Sequence, residues 1–249
     1  MPLSLDNWPI LELLRFIGLM VVGCLTSYLV KKGKLKVNYT RKILHFSQLL
    51  STLMINRTFF DYSMEYFIIS GTFTFLQSMI FLEPIRSRIS FLNFMFLSYD
   101  RPEDRPHTVR LVITQVLGMN IVLIALAFLY QFTAIPLDLL AVPLLITAFG
   151  DGLAEPIGVR FGKHKYKVKD LFGDRHYTRS YEGSAMVFLA ALFTLVGFIE
   201  VFPQATLILM FLVLPLLMTI TEAYSPHTWD NPFLYLVGGL AVYFILLLI

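Results

Sequence analysis

Residues 111–135 read LVITQVLGMNIVLIALAFLYQFTAI, 25 residues with no Lys, Arg, Asp or Glu. As a helix this stretch measures about 37 Å, more than the roughly 30 Å hydrocarbon core of a bilayer. Working outward from it, further apolar runs occupy 10–30, 43–55, 66–82, 137–149, 184–202, 205–220 and 233–249. Together they make eight candidate membrane helices in a chain of 249 residues. The expectation is an all-α, polytopic integral membrane helical bundle, a single domain over 1–249. Runs 43–55 and 137–149 are short for a span. Each abuts a polar stretch, so both are expected to continue as helices into a polar, protein-lined cavity.

Composition excludes the other classes. Apolar residues make up 57 % of the chain and charged residues 15 %, against about 25 % charged in a soluble domain. A disordered chain would be low in hydrophobicity and high in charge. The single Cys24 leaves no internal disulfide.

The basic residues orient the bundle. With the N-terminus outside and eight spans, the first inner loop holds Lys31, Lys32, Lys34, Lys36, Arg41 and Lys42. The second holds Arg86, Arg88, Arg101, Arg105 and Arg110, and the third Arg160, Lys163, Lys165, Lys167, Lys169, Arg175 and Arg179. That places 18 of the 20 basic residues on one face, leaving only Arg15 and Arg57. The positive-inside rule then puts both termini on the non-cytoplasmic side. The residues before Ile10 are acidic and no small-residue cleavage site follows Val30, so the first span is expected to be retained as a signal anchor. Residues 90–99 are apolar but too short to span. They read as a helix in the cytoplasmic interface, or as a buried loop packed on the bundle.

Four polar clusters collect on the basic face. Charge near membrane depth is costly, so each is a functional candidate. Arg41 and His45 are four apart and share a helix face with Lys42 close by; a snorkelling Arg/Lys pair beside a satisfied histidine is the alternative. In Gly150-Asp151-Gly152-Leu153-Ala154-Glu155-Pro156-Ile157-Gly158, leaving the fifth helix, two carboxylates four apart repel unless a cation sits between them. The glycines, Gly158 among them, let backbone amides approach a ligand; a Gly-Pro helix break is the alternative. The basic loop from Arg160 through Lys163, His164, Lys165 and Lys167 to Arg179 suits a polyphosphate, or is purely topogenic. Ser180 and Glu182 fall at the mouth of the sixth helix, where the amide dipole favours an anion. Finally, Glu222 and Asp230 share a segment without Lys or Arg and invite a metal ion, or cap a Pro-closed turn. Carboxylates beside a Lys/Arg-rich loop fit Mg²⁺ with a nucleoside triphosphate, and the acceptor in such a protein is a lipid. The reading is phosphoryl or nucleotidyl transfer at the cytoplasmic interface.

The order Arg-Lys-x-x-His (41–45), Gly-Asp-Gly-x-Ala-x-x-x-Gly (150–158), Arg-Ser-x-Glu-Gly-Ser (179–184) and Glu-x-x-Ser-Pro-x-x-x-Asp-Asn (222–231) resembles the polyprenol kinase family, which includes dolichol kinase, phytol kinase and CTP-dependent diacylglycerol kinases. The resemblance runs from about residue 40 to 232. It implies an integral membrane kinase that moves the γ-phosphate of CTP, or another nucleotide, to a lipid alcohol with Mg²⁺. It further implies metal or catalytic-base roles for Asp151, Glu182, Glu222 and Asp230. Lys163, Lys165 and Arg179 would meet the phosphates, and Arg41, Lys42 and His45 would sit near the transferred group. The chain departs from the pattern at Pro232-Phe233-Leu234 and in the longer segment 168–177.

The expected partners are a membrane lipid and a nucleoside triphosphate, with no nucleic acid. The expected setting is a cell inner membrane, endoplasmic reticulum or plastid membrane. A cytidylyltransferase making a CDP-lipid would need the same nucleotide and metal but attack at the α-phosphate. A secondary transporter would place its acids at the midplane of an inverted repeat, and neither feature is seen.

Overall fold

The computed structural model describes residues 7–170 and 174–248. The acidic residues at the start of the chain, the centre of segment 168–177 and the last residue of run 233–249 lie outside the described residues.

The chain is predominantly helical, and each of the eight apolar runs is helical over most of its length. Among the described residues, five helices are long and apolar enough to cross a membrane: Trp8–Lys31, Thr108–Phe132, Leu137–Phe161, Gln204–Tyr224 and Asp230–Leu248. The chain divides into two compact units, one ending at Asn120 and one beginning at Ile121.

The first unit contains α1 (Trp8–Lys31), α2 (Val37–Ile55), α3 (Met64–Met79), the short α4 (Glu83–Arg86) and α5 (Ser90–Phe96), and the first half of α6 (Thr108–Phe132). α2 is longer than its apolar run because it takes in Arg41, Lys42 and His45, and it ends in a π turn over Asn56–Phe60. Ser63 caps α3 by accepting from the Tyr66 N–H at 3.2 Å. The stretch read as an interfacial helix or buried loop is the helix α5, with Leu92, Met95 and Phe96 buried. Phe81, Met95 and Phe96 form a small core with Met20 and Cys24 of α1.

The second unit contains the rest of α6, α7 (Ala141–Phe161), β1 (Lys165–Lys169), β2 (His176–Ser180), α8 (Tyr181–Gly197), α9 (Gln204–Tyr224) and α10 (Asp230–Leu248). Run 137–149 continues as a helix, as expected: α7 runs through the motif 150–158 with Pro156 inside, and the alternative Gly-Pro helix break does not form. Glycine and proline are poor helix formers locally, but α8 packs along this stretch and overrides them. A Cβ on Gly150 would lie 3.0 Å from Val187 Cα, and one on Gly183 would lie 2.7 Å from the Ala154 carbonyl oxygen. One expectation needs correcting: the basic segment is not a loop. β1 and β2 pair antiparallel, with Tyr166 opposite Arg179 and Val168 opposite Tyr177. The alternation of Lys165-Tyr166-Lys167-Val168-Lys169 has the period of a strand, lysines out and Tyr166 and Val168 in. The second unit therefore carries a hairpin among its helices.

Candidate functional site

The hairpin positions the site. Its inward face carries Tyr166 and Arg179, and it is pinned to the turn between α9 and α10. The His227 N–H donates to the Lys169 carbonyl at 3.0 Å. The Tyr177 and His227 rings stack at 3.5 Å between centroids. Thr228 in that turn holds φ at 66°, a strained value for a β-branched residue.

Within this frame Arg179 reaches Glu222 Oε1 at 3.1 Å and Asp230 Oδ2 at 3.4 Å, and it also donates to the Glu222 backbone carbonyl. Asp151, on the neighbouring turn of α7, is 3 % exposed and Glu222 is 4 % exposed. Asp151 lies within electrostatic range of Arg179. Burial alone would lower the Arg179 pKa, but the carboxylates of Asp230 and Glu222 outweigh it and the pKa is raised. Next to this group the Tyr166 hydroxyl shares a 2.6 Å hydrogen bond with Ser184. Burial first, and then the Glu222 carboxylate, push the Tyr166 pKa up to about 12. Glu222 and Asp230 thus share one guanidinium, with Asp151 close by.

The other predicted residues lie elsewhere. Glu182 sits on the first turn of α8, ahead of its apolar run, and accepts from His164 through the ring Nδ1 at 2.9 Å and the backbone N–H at 3.2 Å. Its own backbone N–H and these His164 bonds hold its pKa down at about 2. Lys163 and Lys165 are exposed. Ser180 caps α8, accepting from the Gly183 N–H at 3.1 Å. A Cβ on Gly158 would lie 2.9 Å from Ser180 Oγ, so Gly158 serves the approach of β2 to α7. Arg41, Lys42 and His45 belong to the first unit, on α2, with Lys42 buried.

The donor set was tested against the Mg²⁺ that the resemblance implies. Among the described residues no three His, Cys, Asp or Glu side chains form a ready metal cage. Magnesium does not need one, because it is held by one or two carboxylates together with phosphate oxygens and water. Glu222 Oε2, buried and with no hydrogen-bond partner, supplies such an oxygen beside Asp151 and Asp230. The residues therefore fit a magnesium ion held together with phosphate oxygens.

Sequence reasoning missed a second polar centre, in the first unit. Glu12 and Arg15 of α1 are fully buried and paired. Arg15 also donates to Thr52 of α2 at 2.6 Å and to Thr74 of α3 at 3.2 Å, and Tyr66 donates to Glu12 at 2.7 Å. An acid and a base three apart inside an apolar run was the available signal.

No family model, curated protein or solved structure matches the chain.

Proposed function

We propose that this chain is a membrane-embedded lipid-alcohol kinase of the polyprenol kinase type. It transfers the γ-phosphate of CTP or another nucleoside triphosphate to the hydroxyl of a polyprenol, phytol or diacylglycerol. The single observation that carries the reading is the group of buried Asp151 and Glu222 and half-buried Asp230 around Arg179, next to a hairpin whose lysines face outward. The reading includes eight spans with both termini on the non-cytoplasmic side, which puts this group and the hairpin at the cytoplasmic face.

In this role the exposed Lys163 and Lys165 attract the triphosphate, and Arg179 engages its oxygens as a planar fork. Asp151, Glu222 and Asp230 would hold Mg²⁺, which supplies neutralisation of phosphate charge when bound. One of these carboxylates orients the lipid hydroxyl and accepts its proton as the oxygen attacks in line. The alcohol head meets the site at the interface while its tail stays in hydrocarbon.

The test is incubation of purified protein with γ-labelled CTP and ATP and a panel of lipid alcohols, followed by separation of the lipids. Label in a lipid phosphate supports the reading. Label from the α-position in a CDP-lipid would instead identify a cytidylyltransferase, and no lipid product from any pair would refute both.

A further inference from the structure

The positive charge among the buried carboxylates is the protein's own. Arg179 meets the Glu222 and Asp230 carboxylates with one nitrogen each, at 3.1 and 3.4 Å, rather than forking onto either, and the nitrogen on Glu222 is shared with that residue's backbone carbonyl. A guanidinium prefers two parallel hydrogen bonds to a carboxylate or phosphate, so Arg179 is held by charge balance more than by an ideal fit. Among the described residues of this unit, the buried polar atoms with no hydrogen-bond partner include Glu222 Oε2 in the group itself, Tyr235 Oη on α10, and Thr228 Oγ1 in the strained turn two residues before Asp230. Tyr235 lies within electrostatic range of Asp151. Unpaired buried polar atoms are rare and require a reason, such as a missing ion, water or ligand. Those on Tyr235 and Thr228 belong to no carboxylate, so they point to a ligand independently of the acidic residues.

We infer that Arg179 is a place-holder cation: it balances Glu222 and Asp230 until a polyphosphate draws its guanidinium away, and the carboxylates then open to a divalent cation. This rests on the phosphoryl-transfer reading for the identity of the anion. It adds an order of events and an internal competition. Arg179 and the metal compete for the same carboxylates, while the carboxylates and the polyphosphate compete for Arg179. The protein alone therefore binds either ligand poorly, and each assists the other because its arrival removes the other's competitor.

The two competitions can be measured separately, with no activity readout and with metal and polyphosphate never mixed. Full-length protein in detergent is titrated with Mn²⁺ in phosphate-free buffer, and free Mn²⁺ is read by electron paramagnetic resonance. Arg179→Gln is expected to bind Mn²⁺ at least tenfold more tightly than the wild type, and adding Glu222→Gln is expected to abolish the gain. In metal-free buffer, Asp230→Asn is expected to bind inorganic tripolyphosphate at least fivefold more tightly than the wild type, by calorimetry. Thermal unfolding checks that each variant is folded, and if Arg179→Gln is not, the Asp230→Asn titration decides alone. Unchanged or weaker binding in a folded variant overturns the inference. Lipid phosphorylation by the wild type with neither gain leaves the kinase reading standing and removes the place-holder. Both gains without lipid phosphorylation do the reverse.

Discussion

Arg15→Met should be among the most destabilising single substitutions in the first unit. Arg15 and Glu12 are both fully buried, so neither charge is offset by water. Arg15 Nε lies 2.9 Å from Glu12 Oε2, and its terminal nitrogens bond Glu12, Thr52 and Thr74. Removing it strands the Glu12 carboxylate with one remaining donor, the Tyr66 hydroxyl at 2.7 Å. Breaking a buried pair from one side costs about 3–5 kcal/mol. Thr52 and Thr74 are less affected, because Thr52 also donates to the Gln48 carbonyl at 2.9 Å and Thr74 also accepts from Gln48 at 3.0 Å. The double variant Glu12→Met/Arg15→Met leaves no buried charge and one unpaired Tyr66 hydroxyl, which costs about 1–3 kcal/mol. Glu12→Met alone strands the Arg15 guanidinium at a similar cost, so the double variant should be more stable than either single, with a coupling of about 6 kcal/mol in a double-mutant cycle. Unfolding by titration with denaturing detergent in mixed micelles reads both. A single-variant loss under about 1 kcal/mol, or a double variant as unstable as the sum of the singles, would refute the argument.

Further predictions concern both units. Gly183→Ala places a Cβ 2.7 Å from the Ala154 carbonyl oxygen and should destabilise by about 1–3 kcal/mol in the same titration. Gly18→Ala on α1 meets nothing within 4 Å and should cost nothing. Glu182 has a folded pKa of about 2 against an ordinary 4.5, so its contribution to stability is present above the ordinary value and is lost as pH falls toward 2. His164→Ala should move its titration midpoint upward, as read by carboxyl ¹³C shifts; an unmoved midpoint would mean His164 does not hold it down. Cysteines placed at 165 and 228 should react with a membrane-impermeant maleimide from the same side of the membrane, and labelling from opposite sides would break the proposed topology.

What the sequence disclosed and what it concealed follow from the range of the forces involved. Length and hydropathy act along the chain, so the runs at 10–30, 111–135, 205–220 and 233–249 are helices much as expected. The continuation of α7 through Gly150 and Pro156 is set by α8, a partner distant in sequence, whose Val187 backbone and Gly183 fit against it. The hairpin was legible in the alternation of 165–169, but its lysines carried so strong a topological signal that the strand period went unread. Of the acids, Asp151, Glu222 and Asp230 gather because α7, α9 and α10 bring them to Arg179. Glu182 points to His164 because the first turn of α8 faces outward there. Gly158 and Ser180 were read for ligand contact, and their geometry shows packing and capping, uses that spacing alone does not distinguish.

The central claim is that the carboxylate–arginine group of Asp151, Glu222, Asp230 and Arg179 carries out phosphoryl transfer. The most direct measurement compares wild-type protein with Asp151→Asn, both purified and shown to be inserted and folded, for transfer of γ-label from CTP or ATP to lipid alcohols. The account predicts labelled lipid phosphate from the wild type and a loss of at least a hundredfold in the variant. Equal turnover by the two proteins would contradict it.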